Sequence, residues 1–166
     1  MGNSVSPRFT GAVIVSVLLA FILLLLPLSE SWMLWRPEWI GLTFIYWCIK
    51  LPKKISIVMA WIAGLFVDVF YGSILGQHAL GLVIVVFMSM RLQPRLSINI
   101  LWHQLILIFL VLGTYLLTNL WIMAATGSNP ATWRYWLPLF SSLLAWPIYS
   151  WLLSFFHVEK SRFDVF

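Results

Sequence analysis

The chain has 166 residues, 62% of them hydrophobic and 9% charged, and a mean hydropathy of +0.97, which excludes an ordinary soluble domain carrying about 25% charge. Its length leaves room for five or six membrane spans of about 20 residues each and for no separate soluble domain, so residues 1–166 are read as one integral membrane domain. The net charge of +5 does not point to nucleic acid, because the ten Lys and Arg are spread over short loops and form no basic stripe that would neutralise phosphates.

The first apolar run, Thr10 to Leu28, carries no charge and is long enough to span, with Arg8 ahead of it as a weak positive flank. Ser29-Glu30-Ser31 resembles a small-residue cleavage site, but the poorly charged start and the length of the run favour a retained helix over a signal peptide. The second run, Trp39 to Ile49, lies between Pro37 and Pro52 and covers only about 21 Å at helical rise even when counted over fourteen residues, short for a span. It either crosses where the bilayer thins or enters and leaves as a re-entrant segment covered by protein.

Four further runs follow: Ile55 to Tyr71, Leu75 to Met90, Ile98 to Ala125 and Tyr135 to Phe156. They are separated at Gly72-Ser73, at Arg91 to Ser97 and at Gly127 to Arg134. The expected fold class is therefore all-α, a polytopic membrane protein of six transmembrane helices, or five if the second run does not cross. With six, one side holds Arg8, Lys50, Lys53, Lys54, Arg91, Arg95, Lys160 and Arg162, and the other only Arg36 and Arg134. The excess of positive charge puts both termini in the cytoplasm. A five-span arrangement moves Arg8 outside and Arg36 inside without changing the balance, so the preference for six rests on the Lys50, Lys53 and Lys54 cluster after the short run and on Glu30 and Glu38 before it.

Many of the eleven tryptophans sit at run ends, among them Trp32, Trp35, Trp39, Trp102, Trp133 and Trp136, as expected of rings anchored at the headgroup level. Trp61, Trp121 and Trp146 lie deeper and are candidates for packing between helices, although lipid-facing positions fit the sequence equally. Cys48, the single cysteine, lies inside an apolar run and reads as a small buried hydrophobe; it rules out an internal disulfide and a cysteine metal cluster.

Asp68 is the one acidic residue within an apolar run, where an unpaired carboxylate costs at least about 2.5 kcal/mol. Steps of four from it give Gly64, Asp68, Gly72 and Gly76, a stripe of small residues that would admit another helix if the helix were continuous. If Gly72-Ser73 is instead a tight turn, the carboxylate is expected to cap freed amides of that turn or to meet a basic side chain. Gln77 and His78 open the next run, so Asp68 and His78 are expected to face each other across the turn, and the three residues together make a possible ligand pocket. A metal site needs more ligands than these, and His103 and His157 lie elsewhere. No catalytic residue and no cofactor are assigned: G-x-S-x-G, H-E-x-x-H, a P-loop and a dinucleotide fingerprint are all missing from the sequence.

The middle of the chain, with Arg36-Pro37-Glu38-Trp39, Tyr46-Trp47, Leu51-Pro52 and the stretch Gly64-Leu65-Phe66-Val67-Asp68-Val69-Phe70-Tyr71-Gly72-Ser73-Ile74-Leu75-Gly76, resembles the rod shape-determining MreD family. Tyr135-Trp136-Leu137-Pro138 and Leu144-Ala145-Trp146-Pro147 extend the resemblance over most of Ser29 to Trp151. It implies a non-enzymatic subunit of the bacterial cell-elongation machinery in the inner membrane. Such a subunit binds the bitopic protein MreC and is linked to MreB, RodA and its partner transpeptidase, so helping to organise peptidoglycan synthesis along the side wall. The resemblance also implies a fold similar to substrate-binding subunits of energy-coupling-factor transporters, which have six helices and an interior pocket. Carried residue by residue, it marks Arg36, Pro37, Asp68, Gly72, Gly76, Tyr135, Trp136 and Pro138 as a partner-binding or structural motif. Lys50, Lys53, Lys54, Arg91 and Arg95 are expected to contact a cytoplasmic partner or anionic lipid. A membrane-embedded small-molecule or lipid-binding protein is the alternative reading.

Overall fold

A computed structural model describes residues 7–27, 29, 34–97, 100–127 and 133–155, with side chains from residue 11 onward. Arg8 as a charge, Glu30, Trp32, His157, Lys160 and Arg162 therefore lie outside the described side chains. Among the described residues there are six α-helices and no strand: α1 Pro7–Leu25, α2 Trp39–Lys50, α3 Ile57–Tyr71, α4 Gln77–Leu96, α5 Leu101–Ala125 and α6 Leu137–Ser154. A single 3-10 turn, Trp133–Trp136, leads into α6.

Three of these helical stretches, Gln77–Leu96, Leu101–Ala125 and Trp133–Ser154, are long and apolar enough to cross a membrane. The other three are shorter apolar helices. The outer surface carries large apolar side chains such as Leu18, Val69, Trp121, Leu144 and Ile148, which suits lipid rather than water.

Direction along the bundle can be followed from the polar contacts. The Arg36 guanidinium donates to the carbonyl oxygens of Leu24 and Leu26, so α1 ends where α2 begins. At the far end of α2, the Gln93 amide of α4 donates to the Ile49 carbonyl at 3.4 Å. Between these ends α3 returns and α4 descends, and α5 and α6 repeat the alternation. One end of the bundle thus holds Arg36, the α3–α4 turn and Arg134; the other holds Lys50, Lys53, Lys54, Arg91 and Arg95.

The short second run is the centre of the molecule. Every residue of α2 from Ile40 to Ile49 is buried, packed by α1, α4 and α6. A helix covered on all sides is apolar on all sides, which is why its sequence shows neither a lipid face nor an amphipathic one. Polar pins cross from it: the Trp47 indole N–H donates to Ser16 Oγ of α1 at 2.7 Å, and the Thr43 and Tyr149 hydroxyls of α2 and α6 share a 2.6 Å bond.

Several boundaries differ from those read in the sequence: α1 runs Pro7–Leu25 rather than Thr10 to Leu28, α3 and α5 open at Ile57 and Leu101 rather than Ile55 and Ile98, and α6 covers Leu137–Ser154 rather than Tyr135 to Phe156. The fourth run opens two residues later, at Gln77, because Leu75-Gly76 belongs to the turn. It also continues through Arg91 to Leu96, which was expected to be a loop. Pro94 removes one amide donor from this last turn, yet the helix persists because Leu96 is fully buried and anchors it.

Of the three deep tryptophans only Trp146 packs between helices, while Trp61 and Trp121 face outward. Trp47, placed in the sequence only as part of a motif, is wholly buried. Cys48 is buried and free, as expected.

Candidate functional site

The α3–α4 connection is built around Asp68. Helix α3 stops because Gly72 takes a left-handed conformation, φ +61, and the Ser73 amide reaches back to the Asp68 carbonyl at 3.0 Å. This is the Gly-terminated hairpin of chain that closes many helices. Gly76, φ +102, then starts α4, a conformation that any side chain would strain.

The Asp68 carboxylate fills the inside of this turn. Oδ2 accepts the Gly76 amide at 2.8 Å. Oδ1 accepts the His78 amide, the Ser73 hydroxyl and the His78 Nδ1–H, each at 2.8 Å. Two of these donors are first-turn amides of α4, where an anion is also favoured by the helix dipole. The expectation that Asp68 caps the amides of the turn, facing His78, therefore describes the geometry. No Lys or Arg approaches the carboxylate among its bonding partners.

The small-residue stripe takes a different form from the one expected. Helix α3 ends before Gly72, so Gly64 and Asp68 are buried while Gly72 and Gly76 sit in the turn. The close approach that Gly64 permits is to α4 of the same chain: a Cβ there would lie 2.2 Å from the Ala79 Cα.

Above the turn opens a cleft of about 770 Å³. Its walls come from four parts of the chain: Glu38 before α2, Tyr71 to His78 from the turn, Leu116 and Asn119 from α5, and Arg134, Tyr135 and Pro138 from the 3-10 turn and the start of α6. His78 forms part of the wall with its ring stacked on Tyr71, the centroids 5.3 Å apart. Since Nδ1 donates to Asp68, Nε2 remains as an acceptor. The Tyr135 hydroxyl donates to the Leu116 carbonyl at 2.8 Å and fixes the 3-10 turn to α5. Pro138 takes the second position of α6, and its carbonyl holds Ser142, whose Oγ in turn accepts the Glu38 amide at 2.9 Å.

The motif residues thus converge on one end of the bundle. Arg36 is buried and acts from behind the cleft, its cation on the C-terminal carbonyls of α1. Asp68 is fully buried and does not itself line the cleft, so its influence there passes through His78, while Gln77 and His78 form wall directly. Trp136 stands at the turn, edge-on to Tyr135. Lys50, Lys53, Lys54, Arg91 and Arg95 are at the opposite end and take no part. Among the described residues no three His, Cys, Asp or Glu side chains gather as metal ligands would.

The cleft residues not singled out from the sequence include three polar or charged ones, Asn119, Glu38 and Arg134. Asn119 is the most informative, because it is 3% exposed and its Oδ1 finds no partner. Its signal was available: a carboxamide inside an apolar run is costly unless used. In the sequence, Arg134 and Glu38 read only as flanking charges.

Glu38 also has an unusual acidity. Burial pushes its carboxyl up from 4.5 to about 7, against the pull of the neighbouring Arg36 cation. Between those two values the folded protein holds a proton that the unfolded chain has released, so stability falls as pH rises from about 4.5 to about 7. Thermal unfolding in detergent between about pH 5 and about pH 8 is expected to show this decline, and Glu38→Gln is expected to flatten it.

The fold and the cleft define a helical membrane protein with an open, partly polar recess at one end of its bundle. Residues 8–156 match the family model described as rod shape-determining protein MreD. A curated relative, the rod shape-determining protein MreD of Haemophilus influenzae, is 31% identical over 131 residues, covering 78% of this chain and 80% of that protein. The chain belongs to the rod shape-determining MreD family. No solved structure matches it.

Proposed function

We propose that the chain is a non-enzymatic subunit of the cell-elongation machinery in the bacterial inner membrane, and that its cleft receives a membrane-proximal segment of MreC. All six helices cross in this reading, with both termini in the cytoplasm and the cleft opening on the periplasmic side, where only Arg36 and Arg134 carry positive charge. The observation that carries it is the convergence of the motif residues around a cleft whose Asn119 acceptor is buried and unpaired. Such an acceptor is matched by a backbone or side-chain donor of a bound segment. Contact with MreC would then organise peptidoglycan synthesis by RodA and its partner transpeptidase, with MreB on the cytoplasmic side near Lys50, Lys53, Lys54, Arg91 and Arg95.

Co-purification of the tagged protein with MreC from membranes tests this. Gly72→Leu is a poor probe, since a side chain at φ +61 strains the turn whatever it touches. Ile74→Glu changes an exposed cleft residue, and Asn119→Leu removes the unpaired Oδ1 acceptor. Both are expected to insert normally and to lose about tenfold or more of the bound MreC. Full retention by both variants would remove the cleft from the contact.

The volume of the cleft lies within the range of small-molecule pockets, and the family's expected likeness to transporter substrate-binding subunits points the same way. A ligand that stays with the purified protein and is lost from His78→Ala and Asn119→Leu, with MreC still bound, would favour this second reading.

A further inference from the structure

A second cavity, of about 480 Å³, opens at the opposite end of the bundle between α2, α5 and α6. Tyr46 and Lys50 of α2 line it together with Ser97, Gln104 and Ser150, and Leu101 and Trp151 stand at its apolar margin. Tyr46 is 2% exposed, and its hydroxyl has no hydrogen-bond partner. Phenylalanine would fill the same space without stranding a polar group, so the hydroxyl calls for an occupant.

The sign of that occupant follows from the charges. Helices α2, α4 and α6 end at this level and α5 begins there, so the helix ends leave a net negative contribution that the formal cations must outweigh. Formal charge then decides: Lys50, Lys53, Lys54, Arg91 and Arg95 are all at this end. The described acidic residues, Glu38 and Asp68, are both at the other. The margin distinguishes a lipid from a soluble anion. Leu101 and Trp151 are exposed apolar side chains on the outer faces of α5 and α6, where an acyl chain can lie while its headgroup enters between the helices.

We propose that this cavity binds the phosphate of an anionic membrane phospholipid, with Lys50 pairing the charge and the Tyr46 hydroxyl donating to a phosphate oxygen. The site is separate from the cleft and does not depend on the partner assigned there.

Native mass spectrometry of the full chain, delipidated in detergent and re-supplied with phosphatidylglycerol or phosphatidylcholine, reads the occupancy. Wild type is expected to retain phosphatidylglycerol about tenfold better than phosphatidylcholine. Lys50→Gln is expected to lose that preference, Tyr46→Phe to lower the retention of both lipids, and Lys53→Gln to keep both retention and preference. Thermal unfolding without lipid controls for folding, since Tyr46→Phe should then be as stable as wild type or more so. Undiminished retention in Tyr46→Phe, or undiminished preference in Lys50→Gln, would overturn the site. Equal protection by inorganic phosphate, with nothing added by phosphatidylglycerol, would overturn its assignment to a lipid.

Discussion

Asp68→Ala is expected to cost about 4 kcal/mol of stability and to lower the unfolding temperature in detergent by roughly 10 °C. The carboxylate accepts four hydrogen bonds, two of them from backbone amides that have no other partner at the start of α4. Alanine leaves the Gly76 and His78 amides without their acceptor, while the Ser73 hydroxyl keeps the residue-68 carbonyl and His78 Nδ1 within reach; each stranded amide costs about 1–3 kcal/mol, partly relieved by water entering the half-exposed turn. Asp68→Asn keeps one acceptor oxygen but turns an NH₂ toward donors, so about half that loss is expected. Because His78 is held by the same oxygen, both variants should also alter the cleft wall. On the proposed function, Asp68→Asn is therefore expected to lose MreC in proportion to its loss of stability rather than independently of it. If both variants unfold within a degree or two of wild type, the turn does not depend on the carboxylate and the role argued for Asp68 is wrong.

The membrane class and the number of helices were legible because lipid demands long uncharged runs, and these stand out over any plausible loop. The centrality of α2 was not. Composition reports that Trp39 to Ile49 is apolar, but lipid and protein interior ask for the same residues there, so burial by three neighbours leaves no trace in the pattern. The end of α4 was misjudged for the opposite reason: Arg91, Gln93, Pro94 and Arg95 read as a loop, and a single buried Leu96 outweighs them. At the site, the polar exceptions to an apolar background carried the signal. Asp68 was found by this rule, together with its pairing to His78 across the turn. Asn119 obeys the same rule, but it lies far along the chain, with no motif around it. Its place opposite His78 depends on the packing of α5 against α4, which spacing alone does not reveal.

Gly64→Ala is expected to be at least as damaging as the loss of the carboxylate, although it adds only one methyl group. The added carbon would lie 2.2 Å from the Ala79 Cα and 2.6 Å from its amide nitrogen. Backbone cannot rotate away as a side chain can, so α3 and α4 must separate along the pair of helices that pack most extensively in the molecule. Overpacking of a core commonly costs about 1–3 kcal/mol, and a clash with main chain that cannot rotate away goes beyond that range, to about 4 kcal/mol or more. Separation would also draw Asp68, one helical turn further on, away from the amides it caps, so the two losses are coupled rather than additive. Gly113→Ala is the matched control, since a Cβ there meets nothing within 4 Å; alanine also favours the helix by about 1 kcal/mol. Unfolding temperatures of the two variants in the same detergent should move in opposite directions. An unchanged value for Gly64→Ala would mean that α3 and α4 stand further apart than the structure has them, and would reopen the reading in which this glycine faces a helix of another protein.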